Sequence, residues 1–343
     1  MSRLFTGPVL AFLGRRVLAA LPTLLALSLV TFLIIKAPPG DYADGLRTML
    51  VNQGGASAAE ADAQAALYRA QNGLNDPLLV QYARWLWGIV TRFDFGMSMA
   101  SNRPVAAIVA ERLPATIALA LVCHLLASAI GIGLGVLAAS RAGTWVDRAI
   151  NIIAFMGMTT PRFLLALVML YVLIFHAGIT GIGSFQSAQF AGAPWNLARF
   201  RDLLAHVWPV ILIATWGGLA YNVRVMRGNL LDVLGAQYVE TARAKGLSPR
   251  TVMLRHAVPN AIHPIIAYQG TALPYMMTGE IEVAIVFGLA TVGPAIVGAM
   301  AVGDIYVAAT FMLVLATTLI VGNILADLAL VLLDPRLRLG NDA

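Results

Sequence analysis

The chain has 343 residues, 59% of them hydrophobic and only 12% charged, with a mean hydropathy of +0.79. That balance excludes a soluble domain of this length and marks a multi-pass membrane protein. The net charge of +6 does not signal nucleic acid, because the basic residues flank apolar runs, where positive charge marks the cytoplasmic side. One cysteine, Cys123, inside an apolar run, excludes an intramolecular disulfide and a cysteine metal cluster.

Arg15 and Arg16 precede Val17 to Ile35, an uncharged run long enough for a hydrocarbon core of about 30 Å. It reads as a retained first transmembrane helix, since it exceeds a signal-peptide core and Pro38-Pro39-Gly40-Asp41 is not a small-residue cleavage site. From Tyr42 to about Arg112 the chain turns polar, with charges of both signs and no net bias over Lys36–Arg112, as expected of an exported, folded segment. Ser57 with Glu60 predicts a capping box for a helix ending near Gly73. Asp76-Pro77 predicts the start of another, with Tyr82, Trp85, Leu86, Ile89 and Val90 along its apolar stripe. Trp85 and Trp87 are expected to anchor at the membrane interface.

Leu113 to Ser140 is the second predicted span. Its Gly131, Gly133 and Gly135 look superficially like a phosphate loop, but GxxxxGK[ST] occurs nowhere, so they are expected to admit a neighbouring helix. His124 has no carboxylate or second histidine one turn away and reads as a packed histidine without a role. Ala149 to Phe175 forms a third span, broken by Thr159-Thr160-Pro161-Arg162; Gly178 to Arg201 is a short exported loop; Leu203 to Val223 is the fourth span, with His206 near the interface.

Tyr238 to Pro264 is a charged island that cannot lie within the bilayer. A helix over Leu230–Lys245 carrying Glu240, Arg243 and Lys245 is predicted to stop at Gly246, where a left-handed cap is needed. Ser248 as N-cap and Pro249 at the first position start a second helix towards Pro259, with Val252, Met253 and His256 on one stripe. Ile265 to Leu289, interrupted by Gly279, Glu280 and Glu282, is the fifth span; Gly288 to Gly303 turns outside; Ile305 to Leu333, with Asn323 and Asp327, is the sixth. Asp327 is expected to face protein or water in a hydrogen-bonded role. Placing both termini inside collects Arg3, Arg15, Arg16, Arg141, Arg148, Arg224, Arg227, Arg243, Lys245, Arg250, Arg255, Arg336 and Arg338 on the cytoplasmic side. Arg162, within a span, should meet water or a partner. Two readings stay open: a buried structural ion pair with Glu280 or Glu282, or a translocation path in which Arg162 meets a substrate carboxylate and one glutamate meets an amino group.

The run Glu240-Thr241-Ala242, then Gly246, then His256-Ala257-Val258-Pro259 resembles the ATPase-coupling loop of bacterial ABC importer permeases. The wording Ala242-Arg243-Ala244-Lys245-Gly246-Leu247 followed by RHAVPNAIHP is similar to the oligopeptide and dipeptide permease branch. Further likeness lies in Arg15-Arg16, Pro22-Thr23, Pro39-Gly40-Asp41, Asp76-Pro77, Asp94, Gly96, Ser98 and Asp334-Pro335-Arg336, so it spans about Leu13 to Arg338. The resemblance implies an all-α integral membrane protein with six transmembrane helices and the type I ABC importer permease fold. It implies a coupling loop of Glu240, Thr241, Ala242, Arg243, Ala244, Lys245, Gly246, Leu247, His256 and Pro259. Its expected organisation is a cytoplasmic N-terminus and first helix (1–36), an exported helical segment (37–112), a permease core (113–333) and a cytoplasmic tail (334–343). Implied partners are a second homologous permease, two ATPase subunits holding ATP and Mg, and a periplasmic or extracellular substrate-binding protein, all at the bacterial inner membrane. This chain itself is expected to bind no cofactor or metal and to catalyse nothing; neither HExxH nor GxSxG occurs. Where the family places an acidic residue before an aromatic-Gly/Ser-Leu-Pro-Gly turn, this chain has Ala284, Ala290 and Thr291, which leaves the solute open between peptides and nickel or another small solute.

Overall fold

The computed structural model describes residues 7–179 and 181–333, and for 7–12, 267, 270–279, 326–327 and 329–333 the backbone alone. The expected tail, Asp334-Pro335-Arg336 included, lies outside the described residues, as does the side chain of Asp327. Regular elements among the described residues are helical: α1 (Gly7–Lys36), α2 (Tyr42–Asn52), α3 (Ala58–Gln71), α4 (Leu78–Arg92), α5 (Val105–Ser140), α6 (Trp145–Thr159) and α7 (Arg162–Tyr171) come first. They are followed by α8 (Leu197–Leu234), α9 (Gln237–Ala244), α10 (Pro249–Thr251), α11 (Val258–Ala261), α12 (His263–Val286), α13 (Val292–Val302) and α14 (Ile305–Leu333). The chain is an all-α integral membrane protein. Length and apolarity select four single helices as spans (Leu13–Lys36, Val105–Ser140, Leu197–Leu234 and Ile305–Leu325), and the bent pair α6–α7 is long and apolar enough for a fifth if the two helices count as one broken span. The sixth predicted run is α12, whose 24 residues would cover about 36 Å.

The chain divides into two compact units, the first up to Pro114 with Thr291–Ile320, the second Ala115–Ala290 with the chain from Val321. In the first unit, the predicted Ser57–Glu60 capping box starts α3. A second box, Asp41 with Asp44, starts α2, a helix not anticipated from sequence. The side chain of Arg69 donates to both carboxylate oxygens of Asp41, at 2.9 and 3.1 Å, and ties α3 back to the start of α2. Trp85 is no interfacial anchor: it is 4% exposed and lies tilted against Phe32 of α1, 5.7 Å between centroids. Trp87, two residues on and therefore pointing away, is 69% exposed. The stripe of α4 is accordingly Gln81, Tyr82, Trp85, Gly88 and Ile89, and Val90 lies on the open face. Pro77 is the N-cap of α4, and the Asp76 carboxylate pairs with Arg84 instead of capping.

The stretch predicted as a turn from Gly288 to Gly303 contains α13, closed by Gly303 at φ +73°. Behind it Asp304 is 2% exposed and accepts from the Ser98 hydroxyl at 2.6 Å and the Ala100 N–H at 3.2 Å. This buried carboxylate pins the 98–100 loop to the start of α14.

In the second unit, α5 packs on α8 through the predicted glycines. A Cβ on Gly131 would stand 2.7 Å from the Asn222 Cβ, and one on Gly135 2.7 Å from the Met226 Cβ, so only glycine admits this approach. Gly133 faces open space and plays no part in it. The predicted break in the third span is a bend of 97°. Thr160 is extended and Pro161 lacks an N–H, so α6 cannot continue into α7. By contrast α12 runs uninterrupted through Gly279, Glu280 and Glu282, because glutamate suits a helix and one glycine costs only about 1 kcal/mol. It ends where Gly288 adopts φ +64°.

Candidate functional site

The charged island folds as two helical arms about Gly246. The first arm is α9 rather than one helix from Leu230, because the chain breaks at Gly235-Ala236 after α8. Gly246 stands at φ +75°, in the left-handed region the sequence demanded. Ser248 caps the second arm, accepting the Thr251 N–H, and Pro249 occupies its first turn. That arm is not plain α-helix: Val252–Ala257 form a π-turn between α10 and α11. Pro259 gives the reason, since its ring would clash with a carbonyl four residues back and the wider turn relieves it. The π-turn also shifts the stripe, so that Val252 and Ala257 are buried while Met253 and His256 are half-buried.

The arms close on each other through Val239, Ala242 and Val252, with Val233 and Leu234 of α8 against them. Behind the second arm, Ala257 and Ala261 pack with Met226 and Leu230 of α8, Ala139 of α5 and Ile265 of α12. The Asn229 amide donates to the Ala261 carbonyl at 3.2 Å. Glu240, Thr241, Arg243, Ala244, Lys245, Leu247 and Pro259 face outward, as does Gly246 itself. The segment is thus a wedge, with a polar outer face and an apolar inner face keyed to α5, α8 and α12.

The second group of candidates is not brought together as an ion pair. Arg162 begins α7 and lies half-buried against α8, its Nε 2.5 Å from where a Gly217 Cβ would be. Glu280 is 2% exposed, and among the described residues neither of its carboxylate oxygens is hydrogen-bonded and no salt bridge joins Arg162 to either glutamate. Glu282 points away from Glu280 and is exposed, as residues two apart on a helix must be. Ala284, at the place of the family's acidic residue, is fully buried beside Val283, Ala166 and Ile213.

Two polar constellations escaped the sequence reading. Asp147, 3% exposed at the start of α6, accepts from Arg227 of α8 at 2.6 and 2.8 Å, from the Gly143 N–H at 2.9 Å and from the Asn151 amide at 2.8 Å. The Ser128 hydroxyl donates to Gln269 at 2.8 Å, and the Gln269 amide donates to Asn222 at 3.0 Å, linking α5, α12 and α8. Amide side chains inside apolar runs were the available signal. His124 is buried in α5 without a metal-binding group among the described residues.

Comparison with known proteins agrees with this architecture. Residues 131–339 match the family described as binding-protein-dependent transport system inner membrane component, and residues 9–120 match the N-terminal domain of such membrane components. The chain is 32% identical to the oligopeptide transport system permease protein AppB of Bacillus subtilis (strain 168), over 95% of this chain and 99% of that protein. It is 32% identical to a putative peptide transport system permease protein of Brucella abortus (strain 2308), over 96% of this chain and 99% of that one. A probable peptide ABC transporter permease protein of Sinorhizobium fredii is 30% identical, over 95% of this chain and 99% of its own length. With most of its length covered by both family segments and by full-length relatives, the chain belongs to the inner-membrane permease components of binding-protein-dependent transport systems.

Proposed function

We propose that this chain is the permease subunit of an ATP-driven importer of peptides. It works with a second homologous permease, two ATPase subunits that bind ATP and Mg, and an external substrate-binding protein. The observation that carries the reading is the wedge of residues 237–261, whose outer face is free for docking while its inner face is keyed to α5, α8 and α12. A partner that displaces the Gly246 turn therefore moves the ends of three spans together, which is what coupling of nucleotide state to a transport path requires. Peptides as solute rest on the printed names of the full-length relatives. The arginine distribution supports both termini and the wedge in the cytoplasm and residues 42–112 outside.

Along the path, Arg162 has a half-buried guanidinium at a helix break with no hydrogen-bond partner among the described residues, which suits a substrate carboxylate. Of the two glutamates, Glu282 presents its carboxylate at the surface and Glu280 does not, so Glu282 is the one available to an ammonium group. The test is pull-down of the ATPase subunits together with peptide uptake in vesicles carrying the full complex. Glu240→Lys should abolish both ATPase retention and uptake; unchanged retention and uptake would remove the coupling role. Arg162→Leu with Glu282→Leu should keep ATPase retention and lose uptake, and parental uptake would remove the substrate role.

A further inference from the structure

A groove of about 330 Å³ opens between α6 and α8, lined by Asn151, Ile152, Phe155, Ala220, Val223 and Arg224 among others. Its volume is at the lower end of those that hold small ligands. Polarity changes along its length. One end lies next to the Asp147–Arg227 clamp, where Arg224 is exposed and Arg148, one helical turn before Asn151, is exposed as well. Away from the clamp the walls turn apolar, with Ile152 60% and Phe155 55% exposed.

The charges at the polar end are not cancelled. Asp147, the neighbouring carboxylate, is already occupied by Arg227, the Gly143 N–H and Asn151. Among the described residues no ion pair is made by Arg224 or Arg148. The basic end lies about one helical turn from the Asp147–Arg227 clamp, towards the start of α6 and the C-terminal part of α8, and the apolar end lies further along both helices. That is the polarity of a phospholipid standing in a leaflet: phosphate and glycerol at the arginines, the first methylenes of an acyl chain along Ile152 and Phe155. The distribution of charge selects an anionic headgroup over a zwitterionic one.

We propose that this groove binds one anionic phospholipid, its phosphate held by Arg224 with Arg148 and its acyl chain laid between α6 and α8. The proposal rests on the proposed topology, which puts the basic end of the groove in the cytoplasmic leaflet. The lipid fills the gap beside α6, so it stiffens the helix whose far end carries the 97° bend. Occupancy by lipid thus bears on the geometry of the path.

The test is native mass spectrometry of the full complex released from nanodiscs of phosphatidylglycerol and phosphatidylcholine. Parental complex should retain phosphatidylglycerol and release phosphatidylcholine. Arg224→Gln should lower phosphatidylglycerol retention about fivefold, from about 1 kcal/mol per basic residue at an anionic surface. Arg224→Lys should keep most of it. Ala220→Trp, which fills the apolar end and leaves both arginines, should also lower it. Complex assembly is read in the same spectra, so a variant that fails to fold is recognised, and Arg148→Gln then serves in its place. Equal retention of the two lipids, or retention unchanged in Arg224→Gln and Ala220→Trp, overturns the proposal. So does loss of the second permease from Ala220→Trp with lipid unchanged, which makes the groove a protein interface. Failure of peptide uptake would refute the proposed function without touching these lipid ratios.

Discussion

Asp147 is the residue at which a single change should cost most. Its carboxylate is buried and satisfied only by the arrangement of α6 and α8, with Arg227 supplying the charge. Arg227→Leu leaves that carboxylate without its counter-ion, at about 3–5 kcal/mol for breaking a buried pair from one side. The expected result is a large fall in the thermal unfolding midpoint of the full chain in detergent, most of it recovered in the double variant Asp147→Leu with Arg227→Leu. Glu280 is the opposite case. With neither oxygen bonded among the described residues, its carboxyl finds no local compensation for burial there, so Glu280→Leu should hold or raise the midpoint. Arg162→Leu and Glu280→Leu should add within about 0.5 kcal/mol if no ion pair joins them; a larger coupling in that cycle would restore the structural pair. Single residues were legible where a backbone or steric need admits only one answer, as at Gly131 and Gly246. They were not where the partner is remote: nothing near Asp147 in sequence announces Arg227, and Trp85 looked interfacial because Phe32 is 53 residues away.

The wedge is the element on which coupling turns, and its geometry permits a graded test. A Cβ on Gly246 would meet nothing within 4 Å, so substitution there is opposed only by the backbone at φ +75°. A β-branched residue in that region costs about 1–2 kcal/mol, while asparagine tolerates it. Gly246→Val should therefore tilt α9 against α10 and weaken ATPase retention, Gly246→Asn should retain most of it, and the spans should fold normally in both. Equal retention by the two variants would separate the turn from coupling. Helix starts and stops here were readable from Ser248, Pro249 and Gly246. The π-turn was not, because hydrophobic periodicity over six residues does not distinguish a widened turn from an ordinary one. The same holds for α13: its 11 residues, with Gly293, Pro294 and Gly298 among them, resemble a buried loop as much as a helix. The Asp41–Asp44 box before α2 was a readable signal, weakened by aspartate standing where glutamate is usual.

On the scale of the whole molecule, the apolar runs and arginine asymmetry carried the fold class, while the assignment of segments to two units depends on packing between distant parts of the chain. On the proposed topology, the 42–112 segment meets the external medium, so external pH acts on it. Of the several groups there that titrate away from their ordinary values, Asp44 and Tyr68 represent the two directions. The Asp44 carboxyl is held down by the Asp41 backbone N–H and then by Arg69. A depressed folded value means stability fully present above the ordinary aspartate value of about 3.9 and lost as pH falls through the folded one. The Tyr68 hydroxyl is pushed up to about 12, first by burial and then by the neighbouring Tyr42 and Asp304. A raised folded value means stability fully present below the ordinary tyrosine value of about 10 and lost as pH rises from there towards the folded one. The exported segment should therefore be flat in stability between those limits and fall at both ends. Fluorine NMR of the full chain carrying 5-fluorotryptophan reads this directly, since Trp85 is buried in that segment and Trp85→Phe assigns its resonance. Arg69→Gln should move the acid limb to higher pH and leave the alkaline limb in place. Tyr68→Phe should reduce the alkaline loss, with Tyr42, also pushed up by burial, keeping the rest, and leave the acid limb in place. If Arg69→Gln instead shifts both limbs together, the two groups belong to one cooperative network and their separate assignment fails.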